Sequence, residues 1–459
     1  MAIPMVLIHG YSDKGESFQR WKEILAKKGI YKAEDIHICS YKSLTNEVTI
    51  KDIAEGFDRA LRLKFNIDPQ QPFDAMVHST GMLVLRSWLS VYGRHERLKH
   101  LIAIAPASFG SPLAHKGRSW IGSIFKGSRE RGPDFMEAGN LVLDGLELGS
   151  RFTWDLAHKD LLGEKIYYGP GADTPYVFTF CGDTPYKGLK GLVTRSDGTD
   201  GTVRWTGCAL NVRKITLDFT LPDDEVSGQD RIRITSWPQD HRSNLRMPFI
   251  PVKGLNHATI LEDPSDELVD YVTEALQVTS LAAYDNWIDK AVARSERTLK
   301  NMEKYQQFVV RAVDERGDGI IDYNLQLYRV LKGKDPNDAS QWQQIPFDVH
   351  TYAADNSFRC FHVNVDDIRS EELSTLRLEF TASSGTELIG YYDVANANED
   401  NINNALPTFS MNVAPMFEKE ELSFFYPFTT TLMEIILNRE PLPMRQENNV
   451  TWFLPRNGG

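Results

Sequence analysis

Three residue types that together can cleave an acyl bond occur in one chain order, each on its own turn: Ser79, then Asp200, then His257. Ser79 lies in Val77-His78-Ser79-Thr80-Gly81, after an apolar strand-like run beginning at Phe73 and before a helical stretch through Leu83–Tyr92. A serine on a strand-to-helix turn becomes a nucleophile if a base takes its proton and an acid orients that base. It also needs N–H donors to receive the charge that develops on the substrate oxygen. Such a turn strains the serine's backbone, so small neighbours are expected on both sides. Gly81 provides one, but the position two residues before the serine is Val77 rather than glycine.

Eleven histidines compete for the role of base. His257 is preferred because its loop, Gly254-Leu255-Asn256-His257, follows the last strand-like run of the N-terminal half. His78 should point away from Ser79 in strand geometry, and His241 sits in a polar turn. For the acid, Asp197 and Asp200 each precede a glycine, and a tight turn alone would explain either. Asp200 is favoured because Val203 can anchor its turn to a sheet, with Asp197 and then Asp183 as alternatives. His9-Gly10 closes the first apolar strand, where a backbone can turn an N–H towards a carbonyl oxygen. The N–H groups of Tyr11 and Thr80 are the expected oxyanion hole, while His9 would serve equally as a strand-end cap.

The elements that must position these residues follow from periodicity. Up to about residue 280, continuous apolar runs alternate with amphipathic segments, the pattern of a mostly parallel sheet flanked by helices. Phe18, Trp21, Ile24 and Leu25 share one helical face, as do Ile50, Ile53, Ala54, Phe57 and Leu61. Asp263 and Pro264 read as the N-cap and first residue of a further helix. Between about Phe109 and Thr174 the rhythm breaks into short, glycine-punctuated amphipathic segments. Residues 281–304 read as one charged connecting helix. From 305 to 459, period-two alternation between turn residues predicts an antiparallel β-sandwich.

The chain of 459 residues exceeds one ordinary core, and two domains are expected. Its net charge of −12 argues against nucleic acid as a partner, the one basic stretch being His115–Arg131. Four cysteines without a Cys-x-x-Cys or His/Cys cluster call for neither a disulfide framework nor zinc. No cofactor is expected. No run approaches the ~20 apolar residues needed to span a bilayer. The N-terminus lacks signal-peptide features, so a cytoplasmic protein is expected, or a secreted one if numbering begins at a mature end.

Taken together, Val6-Leu7-Ile8-His9-Gly10-Tyr11, the Ser79 turn, Ala105–Ala114, Asp200-Gly201-Thr202-Val203 and Asn256-His257-Ala258 resemble the α/β-hydrolase fold, in its bacterial lipase and esterase branch. The resemblance covers some 255 residues. It implies an α/β-hydrolase domain over residues 1–280, in which Phe109–Pro112 leads into a helical lid over about 115–170, and an ester or lipid substrate. Some such lipases hold calcium through an aspartate two residues after the histidine; here that residue is Thr259, and no metal is expected. Apolar residues of the lid stretch, including Trp120, Ile124, Phe125, Leu141, Val142, Leu143, Leu146 and Trp154, suit a long acyl chain or transient contact with a lipid interface, although packing onto the core would account for many of them. The expected activity is carboxylic-ester hydrolysis on lipids, with a phospholipase as the nearest alternative. An amidase or thioesterase would use the same three residues, and a non-catalytic binding protein on the same scaffold is the competing class.

Overall fold

A computed structural model describes residues 3–10, 16–41, 47–114, 140–169, 173–187, 196–222, 231–236, 247–368, 373–396, 406–413 and 425–443. The chain forms two compact units. One comprises Met1–Val212, Ser236–Gln307 and Pro427–Thr430, and the other Arg213–Thr235, Phe308–Tyr426 and Thr431–Gly459.

The first unit is built on β1 (Met5–Ile8), β2 (Ile36–Cys39), β3 (Phe73–Ser79), β4 (Leu98–Pro106), β5 (Tyr176–Gly182) and β8 (Phe249–Val252). They pair in the order β2-β1-β3-β4-β5-β8, every pair parallel. The intervening strands, β6 (Arg213–Asp218) and, but for its last residue, β7 (Ile232–Ser236), belong to the other unit. Every residue of β1, β3 and β8 is buried. Strands covered on both faces have no polar side to show, which is why they read as unbroken apolar runs.

Helices α1 (Gln19–Lys27), α2 (Ile50–Leu63) and α3 (Gly81–Val91) belong to this unit. So do α4 (Asn140–Leu146), α5 (Arg151–Asp160), α6 (Thr259–Glu262), α7 (Asp266–Ala275) and α8 (Leu281–Asn301). α2 buries Ile50, Ile53, Ala54, Phe57 and Leu61, the predicted face, and Thr49 and Asp52 form a capping box at its start. The cap of α7 lies further along than its sequence suggested. It is Ser265, whose hydroxyl accepts from Leu268 N at 3.3 Å, while Asp263 ends α6 and Pro264 stays outside the helix. α8 is charged on one side only. Its other side buries Tyr284, Trp287 and Ile288, and Trp287 meets Phe178 and Phe180 of β5 edge to face.

The second unit contains most of β9 (Tyr305–Asp314), from Phe308 on, then β10 (Asp322–Leu331), β11 (Gln343–Gln344), β12 (Asp348–Thr351), β13 (Phe358–Asn364), β14 (Leu373–Ser383), β15 (Ile389–Tyr392), β16 (Thr408–Asn412) and, from Thr431 on, β17 (Thr430–Pro441). One sheet runs β11-β10-β14-β16 and the other β12-β13-β9-β17-β6-β7, with β15 also on β17. Ile215, Leu217, Val310, Leu376, Phe380 and Ile435 are among the residues of its core. The purely antiparallel sandwich expected from residues 305–459 is corrected in one respect. β6 comes from the N-terminal half and pairs parallel with β17, from Thr431↔Arg213 to Ile436↔Asp218.

Candidate active site

Ser79 ends β3, and its φ of +53° lies in the left-handed region that side chains other than glycine avoid. The next residue, Thr80, is the N-cap of α3, and the Ser79 carbonyl accepts from Ala107 N at 3.1 Å. Beside it on β4, Ala105 is also left-handed at +43°, and the β3–β4 register slips at His78/Ser79. Strand, turn and helix thus hold the serine in a strained conformation through main-chain contacts.

Val77 is accommodated because the room is made elsewhere. A Cβ at Gly10 would stand 2.8 Å from Ser79 Cβ and 3.3 Å from its Oγ. One at Gly81 would stand 2.5 Å from the carbonyl oxygen of Ile8. Two glycines from different elements therefore relieve the crowding, and Val77 pairs with the small Ala103 on β4. Gly10 thus brings the end of the His9-Gly10 turn close to Ser79. Tyr11 itself lies outside the described residues.

The acid and base candidates meet directly. His257 Nδ1 is 2.8 Å from Asp200 Oδ2, with both side chains fully buried. A carboxylate can only accept, so Nδ1 carries the proton and Nε2 of the neutral ring is the acceptor nitrogen. His257 N also donates to the Asp200 carbonyl at 3.1 Å. Asp200 Oδ1 accepts from Thr202 N at 2.9 Å and Val203 N at 2.8 Å, replacing the hydration a buried carboxylate loses. Gly201, at φ +100°, makes this turn, and a Cβ there would stand 2.6 Å from the Tyr186 ring. Cys181 Sγ–H approaches Asp200 Oδ2 at 3.4 Å, and burial pushes its thiol well up, keeping it neutral.

The other candidates lie elsewhere. Asp197 lines a cleft of about 370 Å³ with Tyr186, Thr199 and Trp205. Asp183 accepts from Gly254 N at 2.6 Å at the start of the His257 loop. His241 lies outside the described residues. His78 does not aim at the serine, yet it is not idle: Nε2 is 3.0 Å from the carbonyl oxygen of His257, and the two rings lie 4.5 Å apart. Thr259 uses its hydroxyl to accept from Asn256 N at 2.9 Å. Among the described residues, no group of three or more His, Cys, Asp and Glu is placed to hold a metal ion.

Sequence reasoning missed the roles of Cys181, His78 and the Thr202 and Val203 amides. Only Thr202 and Val203 carried a local signal, the Asp-Gly turn itself. Of the lid stretch, residues 115–139 lie outside the described residues, including Trp120, Ile124, Phe125 and the basic segment. In α4 and α5, Val142, Leu143, Leu146 and Trp154 are buried in the unit, while Leu141 is exposed. No helix among the described residues is long and apolar enough to cross a membrane.

Ser79 ends β3, Asp200 contacts Cys181 near the end of β5, and the His257 loop follows β8, so these three candidates lie at the carboxyl ends of strands, where open parallel sheets gather their ligands. No family model matches the chain, and no curated protein does. Among solved structures, the phospholipase PlaB from Legionella pneumophila matches with a TM-score of 0.76 at 24% identity, over 98% of this chain and 97% of that one. The fold is that of the α/β hydrolases. The same phospholipase in complex with thio-NAD matches at a TM-score of 0.75 and 23% identity, over 99% of this chain and 98% of that one. The likeness runs through the β unit as well as the parallel sheet.

Proposed function

We propose that the protein is a serine carboxylic-ester hydrolase acting on acyl lipids. The observation that carries the reading is the conjunction of a left-handed serine at a strand-to-helix turn with a buried Asp200–His257 pair at the same sheet edge. In this mechanism Ser79 Oγ attacks the ester carbonyl carbon while His257 Nε2 takes its proton. The tetrahedral oxyanion is met by the N–H groups of Thr80 and Tyr11. As the C–O bond breaks, His257 returns the proton to the leaving alcohol and the acyl group stays on Ser79. Water, deprotonated by the same imidazole, then releases the carboxylic acid and restores the serine. Asp200 holds the tautomer and stabilises the transient imidazolium.

The full-length likeness to a phospholipase supports a second reading in the same class, in which the substrate is a phospholipid acyl ester. One set of assays separates the readings. A fluorophosphonate should label the wild type on Ser79 and leave Ser79→Ala unlabelled; wild type without an adduct would end the enzyme reading. p-Nitrophenyl esters of rising chain length should be cleaved best beyond acetate, and acetate turnover equal to that of decanoate would remove the lipid preference. Hydrolysis of phosphatidylcholine in preference to triglyceride would select the phospholipase.

A further inference from the structure

We propose that His78 is a positioning residue for His257: as its Nε2–H tautomer it holds the His257 main chain and walls the His257 ring, locking the nucleophile's strand to the base's loop. The claim rests on the serine-hydrolase reading and deepens it.

Three observations carry the claim. His78, the penultimate residue of β3, is only 5% exposed, and an apolar side chain would fill such a place without the cost of burying two ring nitrogens. Its Nε2 lies 3.0 Å from the His257 carbonyl oxygen, which can only accept, so Nε2 bears the proton. Its ring packs on the His257 ring at 4.5 Å between centroids and 43° between planes. Residue 257 is therefore gripped at its N–H and Nδ1 by Asp200 and at its carbonyl by His78.

The choice of histidine also has an electrostatic logic. Burial, the largest cause, pushes His78 well below the ordinary imidazole range. The charges of His257 and His9 push the same way, and together they outweigh the opposite effect of the hydrogen bond to the His257 carbonyl. His78 is then a hydrogen-bond donor that stays uncharged while His257 becomes an imidazolium 4.5 Å away. A second cation there would oppose the charge that acylation creates. The serine and its base are thus coupled through the residue next to the serine, by a contact spanning 179 positions in the chain.

The test compares His78→Phe, which keeps a ring and loses the donor, with His78→Gln, which keeps an N–H donor and loses the ring. Histidine-ring NMR on ¹⁵N-labelled protein should show wild-type His78 as neutral Nε2–H from about pH 5 to 9. His78→Phe should displace the titration of His257 and lower kcat about 100-fold with little change in KM, the effect of a misplaced catalytic group. His78→Gln should recover at least about tenfold of that loss. A His78 found protonated at Nδ1 alone, or a His78→Phe enzyme with wild-type kcat and an unmoved His257 titration, would overturn the inference. The wild-type spectrum decides the tautomer even if a variant fails to fold. Absence of fluorophosphonate labelling in wild type overturns the hydrolase reading instead, and the His257 titration still decides the coupling.

Discussion

Among the described residues, the parallel sheet has a buried histidine–aspartate pair at each end, and the same two residue types are put to different uses. At the carboxyl edge, His257 Nδ1 meets Asp200 at 2.8 Å, and the His257 carbonyl oxygen lies 3.0 Å from Nε2 of His78, the residue before the left-handed Ser79. At the opposite edge, His100 Nδ1 meets Asp74 at 2.7 Å. There Asp74 also accepts from the Tyr31 hydroxyl at 2.7 Å, and His100 Nε2 reaches the Val278 carbonyl at 2.6 Å. With an acceptor on each nitrogen, His100 is satisfied only as the doubly protonated ring, and it ties β4 to the turn after α7. It is a structural clamp. A buried histidine–aspartate pair does not by itself make a catalytic site; under the proposed mechanism the difference is that His100 spends its second nitrogen on the Val278 carbonyl, whereas the His257 loop is tied through His78 to the strand that ends at the left-handed Ser79.

The most severe way to test that contrast is the same isosteric change at both ends. Asp200→Asn should lower kcat about 10⁴-fold, because an amide leaves the imidazole in the wrong tautomer. Asp74→Asn should leave kcat within about threefold of wild type and cost about 2 kcal/mol of stability, the range for hydrogen bonds to charged groups. Ester turnover and urea unfolding on both variants give the comparison directly. Equal losses of kcat would erase the distinction between the two pairs.

A smaller change sharpens the serine side. Gly10→Ala puts a methyl 2.8 Å from Ser79 Cβ and 3.3 Å from its Oγ. The expected result is a fall in kcat of about 100-fold, from displacement of the nucleophile. Gly29→Ala is the control, since its Cβ would have nothing within 4 Å, although its φ of +70° brings the strain common to any such substitution. If both variants kept wild-type kcat, Gly10 would not be the source of room that lets Val77 stand beside the turn.

What the sequence disclosed and what it hid follow the same division. Local signals located the Ser79 turn, the Asp-Gly turn at Asp200 and the loop at His257, because each depends on a few adjacent residues. They also separated the parallel sheet from the β-rich region, since burial on two faces and on one leave different periodicities. The pairing of β6 with β17 could not be read, because it joins segments more than 200 positions apart and parallel partners leave no hairpin between them. His78 was set aside for an equally physical reason. Strand geometry correctly turns it from Ser79, but its real partner, His257, comes from the other end of the unit. The N-cap at Ser265 was misplaced by two residues because Asp263, Pro264 and Ser265 all suit helix starts, and only the hydroxyl's contact with Leu268 N chooses between them.

The smallest expected effect comes from the clamp's charge. Burial opposes the His100 imidazolium, but the Asp74 hydrogen bond and charge and the Val278 carbonyl outweigh it and the nearby Lys99, so the group titrates above the ordinary imidazole value. The unfolded ring loses its proton near pH 6.5, whereas the folded ring still holds one. The clamp's contribution is therefore complete below pH 6.5 and is lost as pH rises through the folded value. Tyr31, raised far above the ordinary tyrosine value by burial and Asp74, stays protonated throughout this window and adds no slope to it. Urea unfolding from about pH 5.5 to 9 should show wild-type stability declining relative to His100→Gln, since the ionisations the two proteins share cancel in the difference. A difference independent of pH would mean that His100 folds as a neutral ring, and the two pairs would then differ in surroundings but not in charge.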